Sequence, residues 1–215
     1  ALLTDGYVED GCVECPLHQG LFDIRTGKAQ GSPVTEDIAT YAVKVENGMV
    51  FVDATAKAPT EATTGVAAET MADHRLVILG AGQSGAQVAE TARSHGFAGS
   101  IVMVGDEEHP PYERPPLSKD FLLAKSSLAD AAIFDAPRLD GLKLDLRIGL
   151  RAVALDRGLK EVRLSNGMSL GYDTLVLATG ARARTLDVPG ADDPRVRMLR
   201  SAADATGLAE SLKSA

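Results

Sequence analysis

The sequence predicts two domains in series: a small all-β domain, then an α/β domain with a parallel sheet and an inserted β-ribbon. Three observations carry this. Residues 1–54 hold short β-branched runs broken by glycines at 6, 11, 20, 27, 31 and 48. Residues 55–73 are rich in Ala and Thr and lack apolar periodicity, as a linker does. From His74 the pattern becomes apolar strand, helix, apolar strand, the order that builds parallel sheets. The domains are expected over 1–54 and 74–215, with 55–73 between them.

Each element has its own signal. In TYAVKVENGMVFVDA, Val43, Val45, Val50 and Val52 are β-branched. Asn47-Gly48 supplies the two residues that a tight I′ hairpin turn needs. RLVILG reads as a buried strand that runs into AGQSGAQVAETARSHG, a helix expected to stop at Gly96. SIVMVG is a second strand. LRAVALD and KEVRLSNG look like an antiparallel ribbon, and DTLVLATG is a strand entering a glycine turn.

Composition excludes several classes. The 215 residues carry a net charge of -8 and are 45% apolar. An acidic balance argues against a nucleic-acid or anionic-membrane partner, since either favours a basic face. No apolar run approaches the ~18 residues of a membrane span. Two cysteines three residues apart cannot staple a secreted scaffold, so a reducing, cytoplasmic setting is expected.

Both cysteines lie in CVECPLHQG, residues 12–20. A thioredoxin-like C-x-x-C should open a helix after a strand, but Pro16 follows the second cysteine and glycines flank the pair. A structural zinc site takes four ligands. Cys12, Cys15 and His18 supply three, with no other Cys or His before His74. Cys12 is therefore read as a small apolar residue on a strand. That leaves Cys15 with His18.

The stretch CPLHQGLFDIRTGKA resembles the second cluster-binding box of Rieske-type ferredoxins, and the resemblance reaches to about Asp53. A Rieske [2Fe–2S] centre has two cysteines on one iron and two histidines on the other. The resemblance implies that Cys15 is a thiolate ligand to the inner iron and His18 an imidazole ligand to the outer one. It places the other two ligands, a Cys-x-His, upstream of Ala1. Only 14 residues precede Cys15, fewer than the usual separation of the boxes. The box reads CPLH, not CPCH, so the extra disulfide of respiratory Rieske proteins is not expected. The chain is accordingly expected to be a fragment with an incomplete Rieske-like domain.

GAGQSG, residues 80–85, is G-x-G-x-x-G placed between a strand and a helix. In a Rossmann-like dinucleotide fold, Gly80 allows the tight turn, Gly82 lets the backbone approach a pyrophosphate, and Gly85 allows close helix–strand packing. The helix N-terminus then faces phosphate charge. An acid that binds ribose is expected ~20 residues on. Asp106 lies 21 residues after Gly85, with Glu107 as substitute.

PPYERPPLSKDFL, residues 110–122, and TLVLATGARAR, residues 174–184, resemble two signatures of FAD-dependent ferredoxin reductases. Proteins like apoptosis-inducing factor share them, and the likeness covers 74–215. It implies that Arg114 contacts the FAD diphosphate or ribose and that Lys119 lies near the isoalloxazine ring. It implies that Ala178, Thr179 and Gly180 approach FAD with their backbone. Ser84 falls in the phosphate turn, Ala152 beside the adenine, and Arg200 at a basic FAD contact. A complete reductase also has a second glycine motif for NAD(P)H, which is expected beyond residue 215. The FAD-binding domain is thus expected to be incomplete.

The expected parent is an oxidoreductase passing electrons from NAD(P)H to FAD, to the Rieske cluster, and on to an electron acceptor such as a terminal oxygenase or a ferredoxin. The chain by itself is not expected to be active, and no side chain is assigned a catalytic role. Two rivals stand. One is a flavoprotein like apoptosis-inducing factor, or like nitrite reductase, with a Rieske module. The other is a non-catalytic nucleotide-binding module with a zinc-binding C-x-x-C-x-x-H stretch.

Overall fold

A computed structural model describes residues 3–31, 33–34, 36–55 and 71–213. The chain divides into two compact units, Ala1–Thr63 and Thr64–Ala215. Most of the expected linker, 56–70, lies outside the described residues.

The first unit opens with a three-stranded antiparallel meander: β1 (Tyr7–Glu9), β2 (Cys12–Glu14) and β3 (Leu21–Asp23). Asp10 and Gly11 take positive φ, 49° and 78°, which turns β1 into β2 within two residues. A separate hairpin follows, β4 (Val43–Glu46) and β5 (Met49–Val52). Its turn residues Asn47 and Gly48 have φ of 52° and 74°. Two successive positive values are what a I′ turn requires, so the Asn-Gly signal is realised.

The second unit is built on a four-stranded parallel sheet in the order β12-β6-β7-β8. The strands are β6 (Arg75–Leu79), β7 (Ser100–Val104), β8 (Leu144–Arg147) and β12 (Thr174–Leu177). Helix α1 (Gln83–Ser94) makes the crossover from β6 to β7 and ends at His95, before Gly96 with φ of 81°. A short helix α2 (Ala136–Gly141) precedes β8. An antiparallel ribbon of β9 (Ala152–Asp156), β10 (Glu161–Leu164) and β11 (Ser169–Gly171) leads to β12. Helix α3 (Ala202–Lys213) closes the described residues.

The apolar runs of β6 and β7 are continuous because both faces of the sheet are covered. Leu76, Ile78, Ile101 and Met103 point to one side and pack on Ala89 of α1. Val77, Leu79, Val102 and Val104 point to the other and pack on Val162, Leu164 and Leu170 of the ribbon. Strand alternation sorts eight residues into two cores. The carboxyl ends of β6, β7 and β12 are thereby fixed in one place.

Candidate functional site

The carboxyl ends of these strands frame a cleft in two continuous parts of about 600 and 350 Å³. Its floor is the glycine turn after β6. The Gly80 N–H donates to Val104 O at 2.8 Å, and the Ala178 N–H donates to Leu79 O at 2.8 Å, so the turn is tied to both neighbouring strands. Gly80 has φ of 121°, and a Cβ there would collide with the Ala178 carbonyl. A Cβ on Gly85 would collide with the Gly80 carbonyl. A Cβ on Gly82 would meet nothing within 4 Å. Two glycines are thus demanded by the protein's own backbone, and the third faces open space.

Gly82 is the N-cap of α1, and no side chain caps that end. The first-turn N–H groups lack an intrahelical acceptor and carry the positive end of the helix dipole. Arg114 and Arg200 border the same space. The donor set therefore suits an anionic diphosphate. Asp106 offers an exposed carboxylate to hydroxyl groups at the rim, with Arg151 Nη2 at 3.5 Å from its Oδ2. Ala152, Thr179 and Gly180 line the wall. Gly180 has φ of 68°, which a side chain would strain.

Gly80, Gly82, Ser84, Asp106, Arg114, Ala152, Thr179, Gly180 and Arg200 all line the cleft. Gly85 is buried beneath it, where close packing puts it. Lys119 is placed differently. It is exposed and caps the 3₁₀ turn Pro115–Ser118, lining neither part of the cleft. That turn buries Leu117 and presents Arg114 at its start, so Lys119 falls past the cleft edge.

Sequence reasoning missed Tyr112, Arg151 and Arg182, which also line the cleft. Tyr112 is buried and its hydroxyl donates to Glu107 Oε2 at 2.6 Å. Burial first, and then the Glu107 carboxylate, push the phenol up to about 12. Its place inside PPYERPP, the stretch that also holds Arg114, was the available signal.

In the first unit, Cys15 and His18 lie on one turn, between β2 and β3. The Cys15 N–H donates to Gly20 O at 2.8 Å, and the Gln19 N–H donates to Cys15 O at 2.9 Å. Cys15 is half-buried and His18 exposed. Below the turn, Asp23 Oδ1 accepts from the Arg25 N–H at 2.9 Å, the Thr26 N–H at 2.8 Å and the Thr26 hydroxyl at 2.9 Å. The Thr26 bonds, with Arg25, hold that carboxyl below its ordinary range. These bonds close the F-D-x-x-T-G stretch into a turn. Cys12 sits in β2 opposite Asp23. Among the described residues, no group of three or more His, Cys, Asp or Glu is arranged to hold a metal. The turn brings one cysteine and one histidine together, and a Rieske cluster takes two of each.

Residues 74–215 match the pyridine nucleotide-disulphide oxidoreductases, and the chain belongs to that family. Residues 1–42 match the Rieske [2Fe-2S] domain. Rhodocoxin reductase of Rhodococcus erythropolis is 44% identical over 139 residues, 65% of this chain and 33% of that protein. Human (Homo sapiens) apoptosis-inducing factor 3 is 30% identical over 215 residues, 95% of this chain and 35% of that protein. Among solved structures, the covalent putidaredoxin reductase–putidaredoxin complex matches with a TM-score of 0.59 and 34% identity, over 65% of this chain and 34% of that one. The chain spans about a third of the length of the curated relatives it matches. Among the described residues, no helix is long and apolar enough to cross a membrane.

Proposed function

We propose that this chain belongs to an electron-transfer oxidoreductase that takes electrons from NAD(P)H and delivers them through FAD and a Rieske [2Fe–2S] centre to an acceptor such as an oxygenase or a ferredoxin. The observation that carries the reading is the cleft at the carboxyl ends of β6, β7 and β12. There an uncapped helix N-terminus, an open Gly82, two arginines and Asp106 converge. The same chain carries the Cys15–His18 turn. FAD, when bound, accepts electrons as a pair and passes them on singly, and the Rieske centre carries one.

The chain's own residues bind and orient. Gly80 and Gly85 hold a Rossmann-like turn. The α1 N-terminus and Gly82 receive the diphosphate, with Arg114 and Arg200 balancing its charge. Asp106 accepts from ribose hydroxyls, and the Ala152 backbone lies at the adenine end. Thr179 and Gly180 bring β12 against the cofactor. Ser84 closes the phosphate turn. Cys15 and His18 supply one ligand to each iron. Domain limits of 1–54 and 74–215 suit this division of labour.

Similarity to apoptosis-inducing factor 3 along 95% of the chain favours a second reading, in which the same cofactors serve a different acceptor. The absorption spectrum and metal content of the protein at its full natural length test the cofactors that both readings share. Flavin bands with broad Rieske absorption support the proposal. A colourless protein containing zinc would overturn it.

A further inference from the structure

Asp106 and Glu107 are neighbours at the end of β7, and either could serve a ribose on sequence grounds. Their surroundings differ. Asp106 is exposed, and among the described residues its carboxylate meets the exposed Arg151 guanidinium at 3.5 Å. Both Glu107 oxygens are occupied. Oε1 accepts from Arg114 Nη2 at 2.8 Å, and Oε2 accepts from the Tyr112 hydroxyl at 2.6 Å and the Ala202 N–H at 3.3 Å.

The Arg114 guanidinium is held from several sides. It lies over the Tyr112 ring, 5.4 Å from its centroid. Its Nη1 donates to Arg200 O and approaches the Tyr112 hydroxyl at 3.4 Å. The Tyr112 hydroxyl in turn accepts from the Ala202 N–H at 2.9 Å, at the start of α3. Arginine's planar fork adds geometric specificity to anion recognition, and a guanidinium already held in its plane has less freedom to lose on binding.

We propose that Glu107 is a positioning residue that acts through Arg114, presetting its guanidinium for the cofactor diphosphate, and is not itself a ribose ligand. The inference rests on the FAD reading above. With Tyr112 it also ties the cleft to the first turn of α3. Removing the carboxylate charge leaves Arg114 in the cleft on its Tyr112 and Arg200 contacts, but weakens the pairing that fixes its Nη2 end.

The test is a double-mutant cycle on FAD affinity, read by flavin fluorescence in the flavin-depleted protein of full natural length. Glu107→Gln is expected to weaken FAD about tenfold when Arg114 is present, and less than about twofold in an Arg114→Ala background. Glu107→Asp, which keeps the charge, should recover part of the loss and guards against a Gln variant that fails to fold. Asp106→Asn is expected to weaken FAD by the same factor in both backgrounds. If Glu107→Gln costs equal factors in both backgrounds while the wild type binds FAD, the positioning role is wrong and the FAD reading stands. If the wild type binds no FAD, the FAD reading fails and the inference falls with it.

Discussion

Two glycine-closed turns hold the proposed sites of this chain, and they are supported in opposite ways. GAGQSG sits on a sheet buried on both faces, with Val77, Ile78 and Met103 fully buried beneath it. CPLHQG sits on a short meander. Among the described residues of the first unit, Phe22 is the one buried hydrophobic side chain. In the proposed function the first turn meets its ligand with backbone, so the core must hold that backbone still. The second meets its ligand with two side chains, on a turn closed by the Cys15 N–H donating to Gly20 O and the Gln19 N–H donating to Cys15 O. A core mutation should therefore disturb one site, and a single side-chain change the other.

The largest effect that would break this contrast comes from the ligands. Cys15→Ser is expected to abolish the cluster in the protein of full natural length while leaving flavin content unchanged, as read by iron analysis and visible absorption. Cys12→Ser should keep the cluster, because Cys12 belongs to the β2 ladder. Loss of iron in both variants would restore the C-x-x-C reading.

Next in size is the core. Ile78→Ala removes a side chain with no exposed surface and should cost about 2–5 kcal/mol in denaturant unfolding. Val45→Ala, at a position 66% exposed, should stay within about 0.5 kcal/mol. A cost at Val45 as large as that at Ile78 would contradict the contrast.

Gly82→Ala sharpens the backbone half of the contrast. The added methyl meets no protein atom within 4 Å, so stability should fall by no more than about 1 kcal/mol, the loss of a better N-cap. FAD affinity should fall on the order of tenfold, measured by fluorescence titration, because the methyl occupies the approach of the diphosphate. Gly80→Ala should instead lower stability outright, through its 121° φ and the Ala178 carbonyl.

The smallest effect is in alkali. Tyr112 has its ordinary value of 10.0 raised to about 12 in the folded protein. The folded state thus favours the neutral phenol. Its contribution to stability is complete below pH 10 and is lost as pH rises to about 12. Tyr112→Phe should flatten the stability–pH curve in that window, as followed by thermal melts.

Much of this was readable from sequence where the signal is local and strong. The β6–α1–β7 unit carries apolar strands of buried type and three glycines, and Asn47-Gly48 dictates its own turn. Strand β8 was not readable: LDLR is short, and only parallel pairing with β7 makes it a strand. Helix α3 buries only alanines, Ala202 and Ala205, so it lacks a marked apolar stripe. The C-x-x-H spacing placed Cys15 and His18 on one turn. The different surroundings of Asp106 and Glu107 depend on the Tyr112 hydroxyl and on the N–H of Ala202, which is remote in the chain. Lys119 shares a signature with Arg114, yet the 3₁₀ turn carries it past the cleft.

The most direct test is anaerobic addition of NADH or NADPH to the protein of full natural length, followed by visible and electron paramagnetic resonance spectroscopy. Electron transfer through both sites predicts bleaching of the flavin bands and appearance of a reduced Rieske signal, with Cys15→Ser losing only the second. A flavin that bleaches while an intact cluster stays oxidised, or a protein with no flavin to bleach, would contradict it.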